Sequence, residues 1–528
     1  ILKEFIANVY RSKTGNFLSP ELSDLIWSIT VAIFAVGGMI GGIAGGAIAD
    51  WCGRKATKHK QEEAKKHFVD NILIVCVAFS LSFTLFAKLT NSLVSLSQIR
   101  KCGLLLNNAI AILGATLMSS SQLFRSIECL ILGRFFIGLN CGLNTALVPM
   151  YLSEIAPMTL RGALGTVSQL GIVIGLLLSQ ILGLPVILGT NEGWPFLLGV
   201  AFIPAVLQLL LLPMCPESPR YLLISKGRVN EARFALQRLR CSSEVEDDIE
   251  EMRVEDRSQQ HETGLTMWQI IRNKQLQTPL MIGIVMQLSQ QLSGINAILY
   301  YSTKIFEDAG MDEEPAKIGT IGVGAVMLIM TLVSIPLMDK AGRRTLHLYG
   351  LGGMFITSIF LTISLLVRFI YHGMAYMSVV SALAFVVFFA VGPGSIPWLI
   401  TAELFSQGPR PAAISIAVLV NWSTNFVVGL GFPLMQRMME NYSFLPFTGF
   451  LAIFWTFTYH KVPETKNRTF EEIAALFRRD EYIDTSSAQI ARNSFQSVDN
   501  SYDTKTLESC RLIEPEPSSS CCSVRFIR

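Results

Sequence analysis

Gly342-Arg343-Arg344, then Glu403 with Arg410 seven residues on, then Pro463-Glu464-Thr465-Lys466, repeats in order what the chain has already shown at Gly53-Arg54-Lys55, at Glu154 with Arg161, and at Pro216-Glu217-Ser218-Pro219-Arg220. These charged clusters lie between long apolar stretches. A two-fold repetition of that kind is the pattern of a membrane transporter built from two related halves.

The repeat also measures the chain. Glu154 to Glu217 is 63 residues and Glu403 to Glu464 is 61, so these portions of the halves match. Arg54 to Glu154 is 100 residues against 60 from Arg343 to Glu403, which marks 56–101 as an insert of 46 residues. The insert ends in Arg100-Lys101, echoing Arg54-Lys55 before it, as an alternative exon joined at matching boundaries would. Two apolar spans precede Gly342 but there is room for one before Gly53, and the chain opens on Ile1, so the first helix is expected to be missing.

Hydrophobic residues make up 51% of the 528 and charged residues 16%, a balance that excludes an ordinary soluble protein. Eleven segments are long and apolar enough to cross a hydrocarbon core about 30 Å thick. They lie near 25–49, 103–121, 128–151, 161–185, 194–213, 278–303, 316–338, 345–369, 374–402, 410–433 and 445–461. Helices must do the crossing, because lipid offers unpaired backbone groups no partner. The fold class is therefore an all-α integral membrane protein. Basic residues gather in the short loops holding Arg54, Arg161, Arg220, Arg343 and Arg410, which assigns those loops to the cytoplasm.

The domain reading is an N-terminal helical bundle at 1–213, cytosolic linker helices at 214–277, a C-terminal bundle at 278–461 and a cytosolic tail at 462–528, disordered after 480. In the linker, 226–239 reads as an amphipathic helix and 244–256 is strongly acidic. Residues 71–87 of the insert are apolar, but a full crossing there would invert everything downstream against the charge pattern, so the insert is expected to pack at the cytoplasmic face or to re-enter. Ten cysteines without a CxxC pair favour neither a disulfide framework nor a metal site, and no cofactor is implied. No polar portion holds paired carboxylates or a Ser/His/Asp set, which argues against an enzyme.

The span at 278–303 is dense in amides: Gln287, Gln290, Gln291 and Asn296, with Ser289, Ser293, Tyr300 and Tyr301. Gln287, Gln290, Gln291 and Gly294 follow steps of three and four and share one helical stripe. Asn296, five past Gln291, needs a bend near Gly294 or a wide chamber to join them. Amides carry donors and acceptors while staying neutral, which suits a polyol and limits the cost of burial in lipid. A lone Gln would be interhelical glue; four amides within ten residues favour a binding surface. Gly392-Pro393-Gly394-Ser395-Ile396-Pro397-Trp398 must interrupt a helix, and Trp398 offers a flat face for the C–H side of a sugar ring. Asn421, Trp422 and Asn425 add amides and a ring in the next span.

At this point the chain resembles the facilitative glucose transporters of the major facilitator superfamily. The resemblance is carried by QLSQQLSGINAILYYSTKIF at 287–306, GPGSIPW at 392–398, AELFSQGPRPAA at 402–413, PESPRYLL at 216–223, PETKNRTFEEIA at 463–474 and RGALGTVSQLGIVIG at 161–175. It implies two six-helix bundles of the major facilitator fold, sugar bound midway between them and exposed alternately to each side. QLS at 287–289 resembles the signature of the glucose-preferring branch. Carried over position by position, the resemblance makes Gln169, Gln290, Gln291, Asn296, Trp398 and Asn421 sugar contacts. Met327 stands where the family often has a sugar-binding Asn and Ala390 where it often has Glu, which leaves the hexose preference and affinity open. Glu154, Arg161, Glu217, Arg343, Glu403, Arg410 and Glu464 resemble the family's cytoplasmic latch, a bistable set of ion pairs.

The functional reading is facilitative hexose transport across the plasma membrane, D-glucose first. Its partners are a small-molecule sugar and the bilayer, without nucleic acid; the oligomeric state is not legible. No Asp or Glu falls mid-span in the assigned helices, so no proton relay is visible. Two alternatives stay open. One is a proton-coupled sugar symporter, since proton-linked relatives keep their acidic residue in the first helix. The other is a non-transporting splice variant or sugar sensor.

Overall fold

The computed structural model describes residues 1–53, 99–155, 161–220, 222–223, 227–259, 265–367, 374–405, 408–466, 468, 472–473 and 476–477. The chain divides into two compact units, 1–470 and 471–528, and in the second the described residue pairs 472–473 and 476–477 are helical. The insert, apart from the helix start at 99–101, and the tail beyond 480 lie outside the described residues.

Among the described residues every regular element is a helix. In chain order they are α1 (Leu2–Thr14), α2 (Pro20–Gly53), α3 (Ile99–Ser120), α4 (Ile127–Ile155), α5 (Arg161–Leu182), α6 (Trp194–Gly199), α7 (Phe202–Leu211), α8 (Val229–Arg240), α9 (Glu246–Gln259), α10 (Met267–Arg272), α11 (Lys274–Gln291), α12 (Ile295–Asp308), α13 (Glu313–Ala341), α14 (Arg343–Val367), α15 (Met374–Val391), α16 (Ile396–Glu403), α17 (Arg410–Met439) and α18 (Leu445–Lys461). By length and apolar composition, eight described stretches are able to cross a bilayer. They include Pro20–Gly45 in α2, Tyr376–Glu403 across α15 and α16, and Arg410–Tyr442 from α17 onward.

Three of the eleven predicted spans fall short by that measure, each for its own reason. The apolar part of α5 is Val167–Leu182. Helix α18 has 17 residues, the lower limit for a crossing. The stretch at 278–303 is two helices, α11 and α12, because Gly294 adopts φ 95°, a left-handed conformation that side chains resist. A Cβ at Gly294 would also sit 2.9 Å from the Phe447 ring, so the break is fixed by packing as well as by backbone.

Helix α2 holds the two bundles together. Its Gly37 and Gly41 lie against the backbone of α4, where an added Cβ would come 2.2 Å from Phe135 O and 2.3 Å from Leu139 O. One position along, Gly38 and Gly42 present the neighbouring face to Trp422 and Val418 of α17, in the second half of the chain. Small residues at four-residue spacing allow this approach where helices gain little from excluding lipid. The main apolar core lies in the second half, around Phe306, Phe385, Phe432, Phe444 and Phe447, and takes in Val173 from α5.

The linker folds on its own small core. Ala232, Ala235 and Leu236 of α8 pack with Leu222, Val245 and Ile249, in the three-four spacing of an amphipathic helix. Its observed start, Val229, is three residues past the predicted 226, which lies outside the described residues. The acidic stretch becomes α9, tied to α8 by Arg233–Glu246 at 2.6 Å and Arg240–Asp248 at 3.5 Å. Arg240 also donates to Ile155 O at 3.1 Å, fastening the linker to the end of α4.

Candidate substrate-binding site

The α11–α12 break and helix α17 bring a set of buried amides together. Asn421 donates to Gln287 Oε1 at 2.8 Å and to Gln290 Oε1 at 2.7 Å, and its Oδ1 accepts from Gln291 Nε2 at 2.9 Å. Gln291 Oε1 accepts from Asn296 and, at 3.2 Å, from Asn425, whose amide also reaches the Tyr300 hydroxyl at 3.4 Å. The turn at Gly294 is what places Asn296 beside Gln291 in spite of the five-residue spacing. Gln287, Gln290, Gln291, Asn296 and Asn421 are all below a tenth exposed.

Gln290 has a second task. Its Nε2 donates to Pro393 O at 2.9 Å and to Gly394 O at 2.7 Å. Those carbonyls lie in the gap between α15 and α16, where Gly392, Pro393 and Gly394 interrupt the helical ladder, with Pro397 in the first turn of α16. An amide from another helix thereby satisfies carbonyls that lipid could not. The gap fits closely against α14, with a Cβ at Gly350 falling 2.7 Å from Gly392 Cα.

Most hydrogen bonds in the network run from amide to amide, and a hydroxyl can replace either end of such a bond because it both donates and accepts. Among the described residues Gln287 Nε2 is buried with no hydrogen-bond partner, a donor left open at the edge of the set. An unmade buried bond of this kind costs about 1–3 kcal/mol, which a sugar hydroxyl would recover. Neutral, pre-positioned and two-sided, the cluster is suited to an uncharged polyol. Among the described residues no group of three His, Cys, Asp or Glu side chains converges that would hold a metal ion.

Of the expected sugar contacts, Gln290, Gln291, Asn296 and Asn421 join this network. Trp398 lies half-buried on α16, one turn past the break. Gln169 is half-buried on α5 and, among the described residues, shares no hydrogen bond with the cluster. Gln287, Asn425 and Tyr300 belong to the network without having been carried into the substrate set; the four-residue step from Asn421 to Asn425 was the legible sign. Met327 and Ala390 are 3% and 4% exposed, and Met327 packs in the main apolar core, so these two positions present no polar group. A separate polar set in the first half was missed altogether: Asn107 donates to Asn144 Oδ1 at 2.8 Å and to Asn140 O at 3.1 Å, joining α3 to α4.

The charged repeat separates into two parts. In the second half, Arg343 Nε meets Glu403 at 3.4 Å, and Thr465 donates to the same carboxylate at 2.5 Å. Glu464 accepts from the backbone N–H groups of Arg343 at 2.8 Å and Arg344 at 3.1 Å, capping the N-terminus of α14. Arg410 donates to Phe405 O through Nε at 3.1 Å and Nη2 at 3.0 Å. In the first half Glu217 is buried, beside a loop where Tyr151 donates to Pro216 O at 2.8 Å. The side chains of Glu154 and Arg161 lie outside the described residues.

A family model described as sugar (and other) transporter matches residues 1–59 and 55–477, the two matches meeting where the insert begins. Facilitated glucose transporter member 3 of solute carrier family 2 from Canis lupus familiaris is 46% identical over 477 residues, covering 90% of this chain and 87% of that protein. Member 1 from Gallus gallus is 44% identical over 479 residues, 91% of this chain and 88% of that one. Among solved structures, the inward open xylose transporter XylE of E. coli superposes with a TM-score of 0.58 at 25% identity, covering 85% of this chain and 99% of that chain. Its partially occluded inward open form gives 0.63 at 22% identity, over 88% and 94%.

Proposed function

The chain belongs to the sugar transporter family, and on that premise we propose that it carries hexose, D-glucose first, passively across the plasma membrane by alternating access. Relatives at 44–46% identity are named facilitated glucose transporters, which supports the passive, glucose-first reading. The observation that carries it is the closed set of neutral amides around Asn421, drawn from a broken helix and from α17 and buried between packed spans. Sugar hydroxyls exchange with those amides one for one, so the solute leaves water without an unpaired group on either side. No bond of the sugar is made or broken. The cytosol receives the linker and the tail at 462–528, in keeping with the basic loops.

Reconstitution tests this. D-glucose uptake into sugar-free proteoliposomes, with L-glucose as the blank, is compared between this chain and one lacking 56–101. Saturable D-glucose uptake by both, without accompanying proton movement, is the expected result. Uptake that acidifies the vesicle lumen would convert the reading to a symporter, and sugar binding without uptake in either form would convert it to a sensor.

A further inference from the structure

The cytoplasmic charges are only one of the places where this fold joins helices by ion pairs. At the opposite end, the outer end in the positive-inside orientation, the carboxylate of Asp24 near the start of α2 pairs with the guanidinium of Arg437 near the end of α17. The same carboxylate accepts Lys3 of α1 at 2.6 Å. The three side chains border a cavity of about 690 Å³ whose walls come from both halves, with Ser28 and Gln180 on one side and Tyr301 and Thr303 on the other.

We infer that Asp24 and Arg437 form an outer latch, a cross-bundle ion pair that must part before α2 swings away from α17 and solute reaches the buried amides from outside. The inference rests on the alternating-access reading above and concerns a contact that the charged sequence repeat does not contain.

Three observations carry it. The pair lies in line with the α2–α17 contact, where Gly38 meets Trp422, Gly42 meets Val418, and Ser423 Oγ donates to Met39 Sδ at 3.1 Å. Swinging α2 away from α17 therefore breaks all of these together. The ion pair is also accessible: the Asp24 and Arg437 side chains are 30% and 50% exposed. Such a pair is weak and screened by salt, which suits a contact that is broken and remade in every cycle. Finally, Lys3 stays beside Asp24 on the first-half side, so the carboxylate keeps a partner when Arg437 leaves.

The geometry sets an order among variants. Asp24→Asn leaves Lys3 and Arg437 facing each other without a counter-charge and opens the outer mouth most. Arg437→Gln removes the cross-bundle attraction but keeps Lys3 with Asp24, so it opens the mouth less. Lys3→Gln leaves Asp24 to Arg437 alone and does not open it.

The test places a reporter at Ser28→Cys, 7% exposed on the cavity wall, and follows its alkylation by an impermeant maleimide from the outer side of oriented vesicles, with the unmodified chain as background. Asp24→Asn should raise the rate about two- to fivefold, the range a partly exposed ion pair commands. Arg437→Gln should raise it less, and 0.5 M salt should carry the parent toward the Asp24→Asn rate. Unchanged labelling in both charge variants overturns the latch, whatever the transport rate. Should either variant fail to insert, a chain carrying Asp24→Cys and Arg437→Cys is bridged by a short reducible bifunctional thiol reagent. Bridging should stop glucose uptake and reductant restore it; uptake at the parent rate while bridged refutes the latch. Glucose uptake by the unbridged parent is measured alongside, so failure of the latch and failure of the transport reading are told apart.

Discussion

Replacing Gln291 by Leu keeps the side chain's bulk while deleting one donor and one acceptor. In the unliganded protein the change breaks three hydrogen bonds, the one donated to Asn421 and the two accepted from Asn296 and Asn425. At about 0.6–1 kcal/mol for each bond between membrane helices, the fold loses about 2–3 kcal/mol. Sugar loses separately. Gln291 offers a hydroxyl one donor and one acceptor, and two such bonds at about 0.5–1.5 kcal/mol each give 1–3 kcal/mol, or about 5- to 150-fold weaker binding. Equilibrium exchange of labelled D-glucose across proteoliposomes reads this as a rise in half-saturation. Thermal unfolding with and without glucose reads it as lost sugar-dependent stabilisation, because that stabilisation follows the ratio of ligand to dissociation constant. A half-saturation within twofold of the parent, with glucose still raising the melting temperature, would show that Gln291 only ties α11 to α17 and that sugar is held elsewhere.

Gly38→Leu should reduce glucose uptake at least tenfold while leaving insertion intact, because its Cβ would lie 2.4 Å from the Trp422 ring and force α2 off α17; Gly449→Ala, where none of the described residues lies within 4 Å of the added atom, should stay within twofold of the parent. Glu464→Ala removes the carboxylate that caps two backbone N–H groups of α14 and should lower stability by about 1–2 kcal/mol, with Glu464→Gln recovering about half through its remaining oxygen, as read by thermal unfolding in detergent.

Much of the architecture follows from local composition. Apolar length sets where helices are able to cross, and the repeated charge clusters point to two related halves before any contact is known. The amide stripe at Gln287, Gln290 and Gln291 was legible because three- and four-residue steps define a helix face. What eluded the linear reading were relations between faces. For Asn296 the linear reading left two routes open, a bend near Gly294 or a wide chamber, and the left-handed turn at Gly294, which restarts the helix at a new angle, is the one the fold takes. Gln290 reads as a sugar ligand, yet two of its bonds hold the carbonyls of Pro393 and Gly394 more than a hundred residues away.

By itself, then, the sequence determined that this chain crosses a membrane many times, that it does so in duplicate, and that it keeps neutral hydrogen-bonding side chains where lipid-facing spans would not. Tertiary packing alone decided that Asn421 closes those amides into one network and that Asp24 finds Arg437 at the far end of the chain. The reason is physical. Periodicity fixes which way a side chain points from its own helix, but its partner is chosen by how closely neighbouring helices approach, and that distance is set by glycines such as Gly38 and by backbone breaks whose effects appear only once the bundle is assembled.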